Sequence, residues 1–338
     1  MKKILYIDLL SLKGHKKFNE LNINALTSVF NVTIVGRKNF IDSRQSDLVI
    51  PERFFKPHKK INYRINELNK INWIIKKIKT LDKFDLMLIS SYETISFSLK
   101  SRIMANVGSK VAVFNHNNLD EFNRIRINKY FFKKIDKRVV HCVFESYIKE
   151  YLLKEIKIRN SVILVPHLVE KKNFTLNLDK IHINIFIPSK NYDANYINKI
   201  FNNSPRNVVF TIKSDTFFER KNIKSKTYFE DNEYNQIFNS SNFILLPLKI
   251  EYTYRVSNII YECFSFSKPC FTFENKFSKY LNNKYPNVVH IIDKKTDIDQ
   301  IIEEYKQINN ILFAKERELF LKEHSEEKVL PIIKTLIN

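Results

Sequence analysis

Residues 252–273 read YTYRVSNIIYECFSFSKPCFTF, directly after an apolar run, FILLPL, at 243–248. The stretch opens with polar residues, turns helix-like around Glu262 and closes on Lys268-Pro269 before a second apolar run. That order predicts strand, loop, helix, turn, strand. In an α/β protein, a loop feeding a helix after a parallel strand is where phosphates and nucleotides sit. Free backbone N–H groups and the positive end of the helix dipole meet there. A pocket for a nucleotide diphosphate is expected at this point of the chain.

The same rhythm extends in both directions. On the N-terminal side, apolar runs predict strands at 3–9, 32–35, 85–90, 110–114, 139–144 and 161–165. Helical periodicity falls between them at 18–30, 66–81, 95–107, 122–135 and 146–155. The pattern then restarts, with strands expected at 181–187, 207–212, 243–246, 270–273 and 288–292. Helices are expected at 193–201, 231–239, 257–266 and from 297 almost to the end. Strands separated by helices imply parallel, doubly wound sheets. The architecture occurs twice, with a join near 166–179, and two such domains would face one another across a cleft at the carboxyl ends of their strands. The expected domains are 1–168 and 169–310, with a C-terminal helix, 311–338, packing back on the first.

Composition narrows the function classes. The chain has 338 residues, 44% of them hydrophobic, enough for two cores. No apolar stretch reaches the roughly 18–20 residues of a membrane span. The N-terminal MKKILYIDLL reads as a buried strand and not a signal peptide, because its apolar run is short and contains Asp8. Cys142, Cys263 and Cys270 are isolated in apolar segments, without zinc spacing, and read as free thiols in a reducing cytoplasm. The net charge of +21 suits nucleic acid, anionic lipid or phosphorylated substrates. It also matches the Lys, Asn and Ile bias of an AT-rich genome, in which only three glycines remain. Glycine fingerprints can therefore be eroded here without loss of fold, and the absence of GxGxxG argues against a nicotinamide or flavin enzyme.

Four segments in order carry a resemblance. SVILVPHLV at 161–169 looks like a strand and hinge that end a first domain. HINIFIPSKNYDANYI looks like the first strand and loop of a donor domain. YFEDNEYNQIFNSSNFILLP and YRVSNIIYECFSFSKPCF look like the two motifs that follow. Together they resemble GT-B glycosyltransferases of the family 4-like, group 1 type, over most of the chain. The resemblance implies two Rossmann-like domains and a nucleotide-diphosphate sugar as donor substrate; no DxD motif or His/carboxylate cluster stands out, so no metal or other cofactor is expected. Many retaining members carry two glutamates in the loop and helix. Glu262 matches the second, Tyr254 stands at the first, and Glu251 is out of register.

Candidate site residues follow. Ser257 and Asn258 suit a helix N-cap, and with Arg255 they would meet a diphosphate. An ordinary capped helix is the plainer alternative. Glu262 lies one turn on, and the resemblance assigns it the ribose hydroxyls, for which a carboxylate offers two acceptors. Lys190 and Lys213 each follow a donor-domain strand, where the resemblance implies a basic side chain that neutralises the leaving diphosphate. His116 lies in the Asn115–Asn118 cluster after a strand, where the resemblance implies a side chain touching the transferred sugar, against a reading as turn chemistry. Asp120 or Glu121 would serve as base in an inverting reaction, unless they only cap a helix. Gly14 and His15, beside Lys13, Lys16 and Lys17, resemble the loop of the first GT-B domain that borders the diphosphate or the acceptor, against a reading as a solvated basic loop. The helices at 71–84 and 123–138 are basic and amphipathic, which suits either a domain surface or an anionic membrane.

The leading expectation is a cytoplasmic glycosyltransferase, peripheral on the inner face of the plasma membrane. It would act on a glycan or lipid-linked oligosaccharide in bacterial surface-polysaccharide synthesis. A nucleotide-sugar epimerase or hydrolase on the same fold is the alternative. A nucleic-acid-binding protein is the third reading, disfavoured because the lysines are spread along the whole chain and no recognition motif occurs.

Overall fold

The computed structural model of the protein describes residues 1–11, 15–41, 43–56, 60–81, 83–107, 110–116, 118–172, 181–248 and 253–337. Contacts divide the chain into two compact units, Met1–Leu168 with the C-terminal segment from His324, and Val169–Glu323.

The first unit begins with β1 (Lys3–Asp8), α1 (Lys16–Thr27), β2 (Asn31–Gly36), β3 (Leu48–Val49) and α2 (Lys60–Ile78). It continues with β4 (Leu86–Ser91), α3 (Thr94–Ala105), β5 (Lys110–Phe114), α4 (Glu121–Arg124) and α5 (Arg126–Lys133). β6 (Val139–Val143), α6 (Ser146–Glu150) and β7 (Val162–Leu164) complete it. All strands are parallel, in the order β3-β2-β1-β4-β5-β6-β7. Every residue of β4 is buried, the continuous burial of a strand covered on both faces. The strand order reverses direction between β1 and β4, so the crevice beyond Asp8 and Ser91 is the ligand position of this topology.

The second unit contains β8 (Ile183–Ile187), α7 (Ala194–Asn202), β9 (Val208–Lys213), β10 (Ile223–Lys226), α8 (Asp231–Ser240) and β11 (Phe243–Leu246). α9 (Asn258–Ser265), β12 (Cys270–Phe273), α10 (Lys276–Lys284), β13 (Val289–Ile292), α11 (Ile298–Lys306) and α12 (Asn310–Glu323) follow. Its parallel order, β10-β9-β8-β11-β12-β13, again reverses beside the first strand. Ile185, Ile197, Phe210, Phe243, Phe271 and Ile301 share its core. Each such side chain contributes roughly 1.5–3 kcal/mol relative to exposure. The last helix, α13 (Glu326–Ile337), packs on α1 and β5 of the first unit.

The structure departs from the sequence reading in definite places. The helix expected at 122–135 breaks at Ile125, whose backbone leaves the helical region (φ −133°, ψ 89°). The helix expected at 146–155 widens to a π-turn at Tyr151–Ile156 and stops at left-handed Lys157. The strands β3 and β10 and the helix α10 had no clear apolar signal. α10 starts instead from a reciprocal cap between Asn275 and Ser278. The helix from 297 is three helices. α9 ends with Ser267 at φ 57°, while the Lys268 and Ser267 amides reach Cys263 O and Phe264 O at 2.9 and 3.4 Å. That closure normally uses glycine. Lys268, buried, donates to Asn239 O at 2.6 Å, and burial pushes its amine down to about 8. No helix among the described residues is long and apolar enough to cross a membrane. The three cysteines are buried and free.

Candidate active site

At the first unit's reversal point, the fully buried Asp8 uses both carboxylate oxygens. Oδ1 accepts from the Ser91 hydroxyl across the β1–β4 junction and from the Leu10 and Ser11 amides at 3.2 and 2.9 Å. Oδ2 accepts from Asn19 Nδ2 at 2.6 Å, and Asn19 Oδ1 in turn accepts from Tyr6 at 2.8 Å. These bonds tie the β1 end, the start of the following loop and α1 into one polar cluster. Such charge-assisted bonds are stronger than neutral ones.

A cavity of about 650 Å³ opens beside this cluster, within the range of small-molecule sites. His15, Tyr92, Glu93, His116, Asn118 and Glu121 are among its lining residues, with Tyr63 and Arg64 from α2. The rings of His15 and His116 lie 4.3 Å apart. Phe18 meets His116 edge-on at 4.4 Å, and Phe144 lies 4.8 Å from it. His15 Nδ1 and His116 Nε2 are buried and have no hydrogen-bond partner among the described residues. Burial pushes the His116 imidazole well below the usual range, helped by His15 and His167. Burial also lowers His15, against the opposing pull of Asp8. Both rings are therefore neutral near pH 7.

The other lining groups are fixed by their own bonds. Glu93 caps α3, accepting from the Ile95 and Ser96 amides at 3.2 and 2.7 Å. Asn118 donates to Tyr92 O and Thr94 Oγ1, each at 3.1 Å. Glu121, at the exposed rim, accepts from Asn128 at 2.7 Å. Burial, with Glu67, Glu93 and Glu121 nearby, raises the Tyr63 phenol. The structure thus brings together His15, His116 and Glu121. Asp120 stands at the N-cap position of α4 without a side-chain capping bond, and it does not line the cavity. Gly14, Lys13 and Asn117 lie outside the described residues.

In the second unit, Tyr254, Arg255, Ser257, Asn258 and Glu262 gather on the approach to α9 and along it. Ser257 occupies the N-cap position, but its side chain makes no capping bond, unlike the expectation. Tyr254 is buried, and its hydroxyl accepts from Lys276 Nζ at 2.8 Å. Glu262 Oε2 accepts from the Tyr234 hydroxyl at 2.7 Å. Lys190 and Lys213 lie apart from α9 in chain position. Lys190 pairs with Asp215 at 2.5 Å, and Lys213 sits 5.6 Å over the Tyr228 ring. Glu251 and Tyr252 lie outside the described residues. Among the described residues, no cluster of three or more His, Cys, Asp or Glu side chains suits a metal ion.

Sequence reasoning missed Tyr92 and Glu93, although Tyr92-Glu93-Thr94 directly follows a buried strand in the ligand position of this topology. It also missed Tyr234 and Lys276, whose partners lie 28 and 22 residues away. Nothing local marks such pairings.

No family model and no curated protein matches the sequence. Solved structures do match its fold. Sucrose-phosphate synthase from Thermosynechococcus elongatus aligns over 99% of this chain and 98% of its own, with a TM-score of 0.75 at 11% identity. Anabaena HepE, in complex with UDP-glucose, aligns over 99% of both chains, with a TM-score of 0.68 at 9% identity. Spinosyn forosaminyltransferase covers 99% of both, with a TM-score of 0.56 at 11% identity. At such identities the likeness is one of fold. With two parallel sheets wound in the same order and interleaved with helices, the chain adopts the GT-B glycosyltransferase fold.

Proposed function

We propose that the protein is a glycosyltransferase that moves a sugar from a nucleotide-diphosphate sugar to a hydroxyl of a glycan acceptor. The observation that carries this reading is the His15–His116 pair. Two neutral imidazoles, with ring centroids 4.3 Å apart, line a cavity at the reversal point of a doubly wound sheet. The GT-B fold supports it.

In this reading the nucleotide occupies the second unit. The uncapped first turn of α9 and Arg255 hold the diphosphate, and Glu262 accepts from the ribose hydroxyls. The acceptor hydroxyl enters the first unit's cavity, where the His116 ring packs against the sugar. His15 takes the acceptor proton, and the Asp8 charge stabilises the imidazolium that forms. The acceptor oxygen bonds to the anomeric carbon as the bond to the diphosphate breaks. The nucleotide diphosphate leaves with its charge held by α9 and the nearby cations. Glu121, at the rim, is the alternative base. Metal independence is part of the proposal, as is a cytoplasmic site of action, where the thiols stay reduced.

Thermal-shift screening against UDP-, GDP- and dTDP-linked sugars tests the reading, because a ligand that binds only the folded state stabilises it. One donor class is expected to raise the melting temperature. No response to any of them would sink the proposal. Donor consumption without any acceptor, yielding an isomerised or hydrolysed sugar, would favour an epimerase or hydrolase instead.

A further inference from the structure

The helices α2, α3 and α5 lie side by side on the first unit. Ser96 Oγ on α3 donates to Arg64 O of α2 at 3.2 Å, and Ser98 Oγ donates to Phe131 O of α5 at 2.6 Å. Their inner sides supply core residues such as Ile74, Phe97 and Phe132. Their outer sides are unusual. Ile61 and Ile65 on α2, Leu99 and Ile103 on α3, and Ile127 and Tyr130 on α5 are all exposed, Ile61 to 70%. Single exposed aliphatics need no explanation, but a set on three neighbouring helices does.

Charge accompanies them. α3 carries Lys100 and Arg102, α5 carries Arg126, Lys129 and Lys133, and neither helix contains an Asp or Glu. The one acid of α2, Glu67, points inward, buried against Lys70 at 2.6 Å. A face turned only to water would interleave both signs. Exposed aliphatics among cations that outnumber the nearby acids Glu93, Glu121 and Asp136 complement a surface with an apolar interior and anionic headgroups. Nucleic acid fits less well, because it calls for aromatic stacking platforms and the exposed set is chiefly Ile and Leu. The face also runs into the cavity, since exposed Ile61 and Ile125 line it.

We propose that the outer face of α2, α3 and α5 docks on an anionic lipid bilayer, so that the cavity receives an acceptor carried on a lipid. The docking stands on the surface alone. The lipid-linked acceptor rests on the glycosyl-transfer reading above.

Vesicle co-sedimentation separates the two. The full chain is mixed with phosphatidylcholine vesicles, with or without about 30 mol% phosphatidylglycerol. Binding is expected only to the anionic vesicles. Replacement of Arg102, Arg126 and Lys133 by Glu is expected to weaken it about a hundredfold. Leu99→Ser with Ile127→Ser is expected to weaken it too, and to make the remainder more salt-sensitive. Because these side chains are exposed, thermal shifts by the nucleotide sugar should be unchanged in every variant. Failure to bind anionic vesicles, equal binding by the charge variant, or binding to an oligonucleotide but not to vesicles would each overturn the docking proposal. A lost donor response in wild type would strike the transfer reading alone.

Discussion

Tyr234 donates its phenolic hydrogen bond to Glu262 Oε2 at 2.7 Å, joining α8 to α9. The bond occupies one carboxylate oxygen and turns the other, Oε1, to a fixed direction. Tyr234 is half-buried, and both burial and the Glu262 charge raise its phenol, so it stays a donor at working pH. A hydrogen bond to a charged group is worth about 1.5–3 kcal/mol. Glu262→Ala is therefore expected to weaken nucleotide-diphosphate binding by about 10- to 100-fold. Tyr234→Phe should weaken it less, by loosening the carboxylate. Calorimetry with the nucleotide diphosphate checks both. Unchanged affinity in Glu262→Ala would remove this residue from the donor site.

The buried histidines make stability depend on pH in a predictable direction. Burial pushes His141 and His167 down from 6.5 to about 3, and pushes His116 well below 6.5. Below pH 6.5 the unfolded chain binds protons that the folded chain refuses, so stability falls as pH falls. One unit below that value the three together cost about 4 kcal/mol. Carboxylates lowered by ion pairs, such as Asp136 at about 2, act only at lower pH. Urea midpoints should therefore drop between pH 7 and pH 5.5. A His141→Gln variant should keep about two-thirds of that slope. A flat profile would show that these rings are protonated in the folded state.

Much of the fold was legible because burial on both faces leaves continuous apolar runs. Strands such as β4, LMLISS, stand out against the lysine-rich background. The α9 region was legible for the same reason, bracketed by β11 and β12. What stayed hidden has physical causes. β10, IKSK, alternates polar residues at the sheet edge and has no apolar run to betray it. The break at Ile125 comes where the surrounding pattern still reads as helix. The site was half legible. His116, Glu121 and His15 follow strands at positions where ligands bind, whereas Tyr92 and Glu93 look like turn residues until Glu93 is seen capping α3. Glycine erosion concealed chain reversals. Ser267 and Lys157 hold left-handed positions at φ 57° and 56° that a glycine would have announced.

Lys157 offers a test of that erosion. It follows the π-turn with φ 56° and ψ 52°, and its side chain is exposed. A side chain pays about 1–2 kcal/mol in this region, whereas glycine enters it freely. Lys157→Gly also gains unfolded-state entropy, which offsets part of the benefit. A net stabilisation of about 0.5–1 kcal/mol is expected in urea unfolding. Destabilisation would show that Lys157 makes contacts that outweigh its backbone strain.

The Glu67–Lys70 pair joins the core of the first unit to the end of β1. Lys70 Nζ donates to Glu67 Oε1 at 2.6 Å and to Leu9 O at 2.7 Å, and lies 4.6 Å over the Phe55 ring. Both side chains are almost wholly buried, at 2% and 3% exposure. Removing one partner strands a charge in the interior. Lys70→Met is therefore expected to cost about 3–5 kcal/mol. Replacing both, with Glu67→Leu added, removes the stranded charge as well. The double variant should recover most of the loss, leaving chiefly the unpaired Leu9 carbonyl, worth about 1–3 kcal/mol. A double-mutant cycle by urea unfolding reads the coupling directly. The loop held by Leu9 and Asp8 leads to His15, so the recovered variant should still lose turnover. If the double variant were as unstable as Lys70→Met, Glu67 would be neutral in the fold, and the contact would be a hydrogen bond without an ion pair.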